Sequence, residues 1–143
     1  MTFDAVRPGL RGEVRLLVTD EHTARHLGSG GVRVLATPQM VLLMERAGVA
    51  AVDHLLPEGY LTVGGHLDVR HLAPTPVGFE VRAVAELVDM DGRRLDFKVE
   101  VHDGIELVGS GSHQRFIVDL DRFGQGVAEK AASNASGDAG AAV

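Results

Sequence analysis

The alternation of apolar and polar residues changes period twice along the chain, and this pattern predicts the order of its elements. Residues 10 to 19 alternate valine and leucine with charged residues, which predicts a half-buried strand. Residues 20 to 36 show little periodicity and contain a glycine cluster, so we expect a connecting segment there. Residues 37 to 56 are apolar on nearly all sides, which predicts one long central helix.

After the helix the period changes to two, which predicts four more strands, over residues 60 to 74, 79 to 90, 93 to 103 and 105 to 120. Gly64 and Gly65 interrupt the first of these strands and indicate a β-bulge or a place where a ligand approaches the backbone. One strand, a long helix and four mostly antiparallel strands form the α+β hot-dog fold, a helix packed on a curved sheet of about five strands. Exposed sheet edges and apolar surface favour a homodimer with a continuous sheet.

The start of the helix carries two local signals. Thr37 suits the N-cap, because its hydroxyl can accept a hydrogen bond from a free backbone N–H group, and Pro38 suits the first helical position. The same terminus presents N–H groups that can polarise a carbonyl oxygen, so a catalytic role of Thr37 can coexist with capping.

One carboxylate, Glu45, lies near the middle of this apolar helix. Its neighbours at helical spacing are Val41, Leu42, Gly48, Val49 and Val52, and they lie away from a polar stripe formed by Gln39, Arg46 and Asp53. Desolvation on an apolar face disfavours the ionised form, which would make Glu45 a better general base at neutral pH. The structural alternative is an ion pair of Glu45 with Arg46 or another cation at the rim of the core.

Composition excludes several classes of protein. The chain has 143 residues, 45% of them hydrophobic, which fits one globular domain over residues 1 to 123, followed by a polar, aperiodic segment, 124 to 143, expected to be a disordered tail. The net charge of −6 without a basic run argues against nucleic acid and against an anionic membrane surface as partners. No segment has the pattern of a membrane span or a signal peptide, so we expect a cytoplasmic protein.

The histidines and the absence of cysteine bear on the chemistry. With no cysteine, a disulfide, a thiolate zinc site and a cysteine nucleophile are excluded. His22 and His26 are four residues apart but lack an evident third ligand, so we expect no metal site and no separate cofactor. His71 ends a predicted strand just before a proline-rich turn, a position from which a side chain can enter a cleft, although a lone histidine is more often structural.

Four segments of the chain resemble the fluoroacetyl-CoA thioesterase family of hot-dog proteins: "TARHL", "VLATPQMVLLMERAGVAAV", "VRHLAPTPVG" and "AELVDMDGRRLDFKVEVHDGIELVGSGSHQRF". The similarity covers roughly residues 20 to 123. The resemblance implies an acyl-CoA substrate, a catalytic triad of Thr37, Glu45 and His71 at a dimer interface, and a place for Gly64 at the acyl site. One departure is the segment "GSGGVRVLA", which is shorter than in the fluoroacetyl-CoA enzyme and lacks its phenylalanines, so the acyl group stays open.

The resemblance leaves open how the groups meet and how they act. Thr37 and Glu45 are eight residues apart, about 12 Å along a helix, so the substrate and His71 must bridge them or two subunits must share the site. Glu45 would activate water or attack the thioester, His71 would shuttle protons, and backbone N–H groups near the helix start or at Gly64 and Gly65 would hold the oxygen. CoA phosphates need cations, available at Arg82, Arg93, Arg94, Lys98 and Arg115.

Two other classes of function remain. An enoyl-CoA hydratase of the same fold would also use an acidic residue and a histidine, although it typically carries them as Asp and His shortly after the helix start. A non-catalytic acyl-CoA-binding module would keep the pocket without needing Glu45.

Overall fold

The computed structural model describes residues 3–137, with side chains as far as residue 134. Strand β1 (Arg11–Leu17) leads through a 3₁₀ turn into a short helix, α1 (Ala24–Leu27), and then into the long helix α2 (Thr37–Val52). Four strands follow: β2 (Tyr60–His71), β3 (Glu80–Asp91), β4 (Arg94–His102) and β5 (Leu107–Asp119). Helix α3 (Leu120–Gly137) comes last.

The five strands form one antiparallel sheet in the order β1-β3-β4-β5-β2. Helix α2 packs across one face of this sheet, mainly against β1 and β3. The buried side chains of the helix and of β3, β4 and β5 together form the core. This curled sheet around a long helix is the hot-dog fold, which confirms the predicted fold class.

Helix α2 lies very close to the sheet at Gly12 of β1. A Cβ atom at this position would overlap backbone atoms of Ala47 and Ala51 on the helix. Only glycine therefore allows the helix to pack at this depth. The helix presents a continuous buried stripe to the sheet, formed by Met40, Leu43, Met44, Ala47, Gly48, Ala51 and Val52.

Both ends of helix α2 differ from the prediction. The N-cap residue is Ala36, which forms no side-chain cap, and Thr37 is the first helical residue, so the predicted capping role of Thr37 is wrong. Its hydroxyl is bonded to another side chain, which competes with capping. The α-helix ends at Val52 and a 3₁₀ turn follows, Asp53–Leu55, because the Asp53 carboxylate turns toward Thr62 and accepts bonds from its hydroxyl and N–H groups.

The segment after residue 123 also differs from the prediction. Residues 124 to 137 continue helix α3 rather than forming a disordered tail, and residues 138 to 143 lie outside the described part of the chain. Alanine, glutamate and lysine in this segment have high helix propensity. The prediction considered only the absence of periodicity and gave this propensity too little weight. Apolar residues on this helix stay exposed, among them Leu120, Phe123 and Val127.

Strand β2 is an edge strand and is irregular at its glycines. Within residues 3–137 it pairs with β5 alone, so its other edge joins no further strand, although the Thr62 N–H group donates to Asp53. The register shifts between Gly64 and His66, which makes Gly65 the extra residue of a β-bulge. The bulge predicted at the two glycines is therefore present.

Candidate active site

A hydroxyl and an imidazole meet at the N-terminal end of helix α2. Thr37 Oγ1 lies 2.7 Å from Nδ1 of His71, a short hydrogen bond. His71 is the last residue of β2 and Thr37 the first residue of α2, so a strand end and a helix start bring the two together. The structure thus joins two of the three residues predicted to be catalytic.

The protonation and hydrogen bonding of the His71 imidazole allow it to exchange a proton. Burial lowers the pKa of His71 below the ordinary histidine value, and the nearby backbone of Ala73 offsets only part of this effect. The ring is therefore neutral at pH 7. Within residues 3–137 its buried Nε2 atom has no hydrogen-bond partner. Nε2 carries the proton if Nδ1 accepts from Thr37, and is a free base if Nδ1 donates to it.

Thr37 and His71 line a cavity of about 350 Å³. The segment between α1 and α2 supplies most of the remaining wall, and Ala73 and Pro74 close the other side. Apart from Thr37 and His71, the described residues that line it have small or aliphatic side chains, as at Gly30, Val32 and Val34. The wall therefore contains no bulky group that would restrict a ligand to a very small size.

The helix start also offers a backbone donor to this cavity. The N–H groups of Gln39 and Met40 both donate to the carbonyl of Ala36, at 3.0 and 3.1 Å, and Pro38 has no N–H group. In the described part of the chain, the N–H group of Thr37 has no hydrogen-bond partner. A free N–H group at a helix N-terminus favours a negatively charged oxygen.

Glu45 lies two turns further along α2, beside the buried stripe rather than within it. Its side chain is 36% exposed, and the residues one turn before and after it, Leu42 and Val49, are exposed as well. The prediction of a buried apolar face around Glu45 is therefore wrong for a single chain. Its nearest cation is not Arg46 but Arg115, whose Nη1 lies 4.0 Å from Glu45 Oε2.

The two glycines of β2 face opposite sides of the sheet. A Cβ atom at Gly64 would lie 2.9 Å from Glu45 Oε2, so the missing side chain makes room for the carboxylate. A Cβ atom at Gly65 would overlap the ring of Phe116. Of the two predicted substrate-binding glycines, the structure therefore brings only Gly64 to Glu45.

Two buried polar residues of β5 lie beneath Glu45; His113 was not predicted as part of a site, and Arg115 was predicted only as one of several cations available for CoA phosphates. His113 is fully buried and Arg115 is 5% exposed. Burial lowers the pKa of both residues, and for Arg115 the Asp53 and Glu45 carboxylates act in the opposite direction. The signal in the sequence was their shared parity with the buried Ile117, which places both on the helix face.

The candidate site is therefore divided within one chain. The Thr37–His71 pair lies at the start of α2, whereas Glu45, Gly64 and Arg115 lie about 12 Å further along the helix axis. Glu45 does not line the cavity that holds the pair. Two half-sites result, one with a hydroxyl and an imidazole and one with a carboxylate.

Comparison with known proteins identifies the family of the chain. The sequence profile of the family described as fluoroacetyl-CoA-specific thioesterase matches residues 18–121. The chain belongs to this family. The fluoroacetyl-CoA thioesterase of Streptantibioticus cattleyicolor is 38% identical to it over 133 residues, which cover 89% of this chain and 96% of that protein.

Solved structures of the fluoroacetyl-CoA-specific thioesterase family agree with the fold described above. A variant of the fluoroacetyl-CoA thioesterase in complex with acetyl-CoA is 37% identical and superimposes with a TM-score of 0.82, covering 87% of this chain and 98% of that chain. A thioesterase superfamily member from Thermus thermophilus is 28% identical, with a TM-score of 0.83, covering 92% of this chain and 97% of that chain.

Membership of the fluoroacetyl-CoA-specific thioesterase family confirms the predicted enzyme class, an acyl-CoA thioesterase. Over residues 3–137, no three His, Cys, Asp or Glu side chains come together in a way that could hold a metal ion. The described helices also include none that is both long and apolar enough to cross a membrane. The absence of a separate cofactor and the cytoplasmic location stay predictions.

Proposed function

We propose that the protein hydrolyses an acyl-CoA thioester to the free acid and CoA, with Thr37, Glu45 and His71 as its catalytic residues. The observation that carries this proposal is the 2.7 Å bond between Thr37 and the neutral His71 on the wall of a cavity at a helix N-terminus. A hydroxyl bonded to a neutral imidazole is the arrangement in which the imidazole can take or return a proton during acyl transfer.

The role proposed for each catalytic residue follows from the chemistry of its side chain. In one route water attacks the thioester carbonyl carbon while Glu45 or His71 takes its proton, the C–S bond breaks, and that proton reaches the CoA thiolate through Nε2 of His71. In the other route the Glu45 carboxylate attacks, the C–S bond breaks, and water hydrolyses the acyl–Glu45 anhydride that remains, which releases the free acid, while His71 passes a proton of this water to the thiolate. The N–H group of Thr37 and the backbone at Gly64 and Gly65 are the donors proposed for the developing oxyanion.

We further propose that the working enzyme is a homodimer in which the two half-sites are combined. Leu42, Glu45 and Val49 form one exposed row along α2, and the edge of β2 beside it is unpaired. A second copy that pairs its β2 with this edge would cover the apolar row and continue the sheet. The Thr37–His71 pair of one protomer would then work with Glu45 of the partner subunit.

The cavity supports an acyl group larger than acetyl. A variant of the related fluoroacetyl-CoA thioesterase binds acetyl-CoA in a solved complex, but apart from Thr37 and His71 the wall here is made of small and aliphatic residues around about 350 Å³. We therefore expect turnover to extend to acyl chains of more than two carbons. Gly30→Phe should narrow the cavity and reduce turnover of the longer chains most. Gly31→Phe is the matched control, because Gly31 is outside the lining and has open space around its Cβ position.

A panel of acyl-CoA substrates tests the proposal. Acetyl-, fluoroacetyl-, butyryl-, octanoyl- and crotonyl-CoA are each mixed with the protein, and free thiol and enoyl absorbance are followed. Release of thiol supports hydrolysis, loss of enoyl absorbance alone indicates a hydratase, and binding without turnover indicates an acyl-CoA-binding module. Glu45→Gln should lower kcat by about two to four orders of magnitude, because a general base contributes about that much. Unchanged turnover in the folded variant would remove Glu45 from the mechanism.

A further inference from the structure

Arg115 is held in one orientation by a chain of hydrogen bonds beneath α2. Its Nε donates to Thr62 Oγ1 at 2.8 Å and its Nη2 donates to the Thr62 carbonyl at 3.1 Å. Thr62 is fixed in turn by Asp53, which accepts from its hydroxyl at 2.5 Å and from its N–H group at 3.2 Å. Two of the three guanidinium nitrogens are thus occupied by one residue, which leaves Nη1 with a defined direction.

His113 accepts the hydrogen bond of the third guanidinium nitrogen, Arg115 Nη1. The Nδ1 atom of His113 lies 2.8 Å from the carbonyl of His66, which can only accept, so Nδ1 carries the ring proton. The Nε2 atom is then an acceptor, and Arg115 Nη1 donates to it at 3.1 Å. A fully buried neutral histidine of fixed tautomer therefore holds the end of the guanidinium.

The same Nη1 lies 4.0 Å from Glu45 Oε2, and the backbone at Gly64 lies beside both groups, since a Cβ atom there would be 2.9 Å from Oε2 and 3.5 Å from Nη1. We propose that Arg115, oriented by Thr62 and His113, is a positioning residue that holds the Glu45 carboxylate in place for the reaction. This inference rests on the proposed function of Glu45. It explains why the chain buries a guanidinium under a helix, where desolvation makes an unpaired charge costly.

Arg115 positions the Glu45 carboxylate through its charge and through its fixed orientation. A cation about 4 Å from a carboxylate attracts it and so draws it to one location. Glu45 is partly exposed and its side chain has several rotamers, so without this attraction it would sample many positions. A displacement of about 1 Å of a catalytic group can reduce the rate about 100-fold.

A double-mutant cycle on kcat tests the proposal, with Arg115→Gln, Glu45→Gln and the double variant assayed on the best substrate of the panel. Arg115→Gln should lower kcat by about 10- to 100-fold with KM changed by less than about threefold. In the Glu45→Gln background the same change should cause no further loss, because a positioning residue has nothing left to position. Arg115→Lys keeps the positive charge but loses the planar guanidinium with its several N–H donors, so it should keep part of the activity that Arg115→Gln loses.

Two further variants keep the test decisive. Arg15→Lys on β1 is the matched control and should leave kcat unchanged, since Arg15 is exposed and, among the described residues, bonds only to Glu13 and Glu80. If Arg115→Gln does not fold, Thr62→Val removes the bond from Arg115 Nε and keeps the bond from Nη2 to the backbone carbonyl, so it should show a weaker coupling to Glu45 of the same sign.

The possible results separate the inference from the function on which it rests. Equal fold losses in both backgrounds, or a loss confined to KM, overturn the positioning role and leave the proposed function intact. If the wild type releases no thiol from any substrate, or if Glu45→Gln alone leaves kcat unchanged, the proposed function or the role of Glu45 fails first.

Discussion

Subunit complementation gives the sharpest test of a divided site. The hydroxyl and imidazole lie at one end of helix α2 and Glu45 lies eight residues later, about 12 Å along the axis, whereas hydrogen-bond contact needs about 3 Å. If two protomers share each site, a variant lacking His71 and a variant lacking Glu45 carry complementary defects. A mixed dimer of His71→Ala and Glu45→Gln subunits then has one intact site and one doubly defective site.

The activity expected of a mixed dimer follows from its number of intact sites. Each two-fold dimer has two sites, so the mixed dimer should show about half the wild-type kcat per dimer. An unsorted equal mixture should show about a quarter, because about half of its dimers are mixed. Each parent variant should retain far less, since its defect occurs in both of its sites.

The assay uses two affinity tags, one on each variant, so that only mixed dimers survive two purification steps. Thiol release from an acyl-CoA is then compared with that of wild-type dimers and of each parent. A mixed dimer of wild-type and His71→Ala subunits serves as the control, and it should also show about half of the wild-type activity. A His71→Ala and Glu45→Gln dimer no more active than its parents would refute the division between subunits.

Three other predictions concern the same helix and its surroundings. Gly64→Ala should push the Glu45 carboxylate aside and lower kcat by about 10- to 100-fold with little change in the melting temperature, measured by parallel kinetics and thermal unfolding. Because burial lowers the pKa of His71, kcat/KM should stay constant as the pH is lowered to about 6.5 and should fall only below that pH. A pH profile of kcat/KM whose midpoint lies above about pH 6.5 would contradict a lowered pKa of the imidazole. Gly12→Ala should destabilise the fold by about 1–3 kcal/mol in urea titrations, whereas Gly31→Ala, with open space at its Cβ position, should have no such effect.

The regular elements were readable from the sequence because their signal is local. A period of two over residues 79 to 120 predicted three neighbouring strands, and the structure has them within a few residues of the predicted bounds. The long apolar segment predicted the central helix in the same way. Each of these predictions depends only on residues that are close together in the chain.

The features that were missed depend on contacts between distant segments. The hydroxyl of Thr37 could cap its helix or bond elsewhere, and the choice follows from His71, 34 residues away. Arg115 could be named only as one of several cations available for CoA phosphates, because its partner Thr62 lies 53 positions earlier in the chain. The surroundings of Glu45 depend on a surface that one chain leaves open, which no pattern within the helix reveals.

The cavity wall and the reacting groups come from different segments, and this separation affects how the enzyme can change. Residues 29 to 35 form much of the wall, but they precede helix α2 and make none of the bonds that hold Glu45. A surface loop tolerates substitution and insertion far better than a packed helix does. New acyl preferences can therefore evolve, or be selected in a library, by varying this loop while the chemistry stays intact.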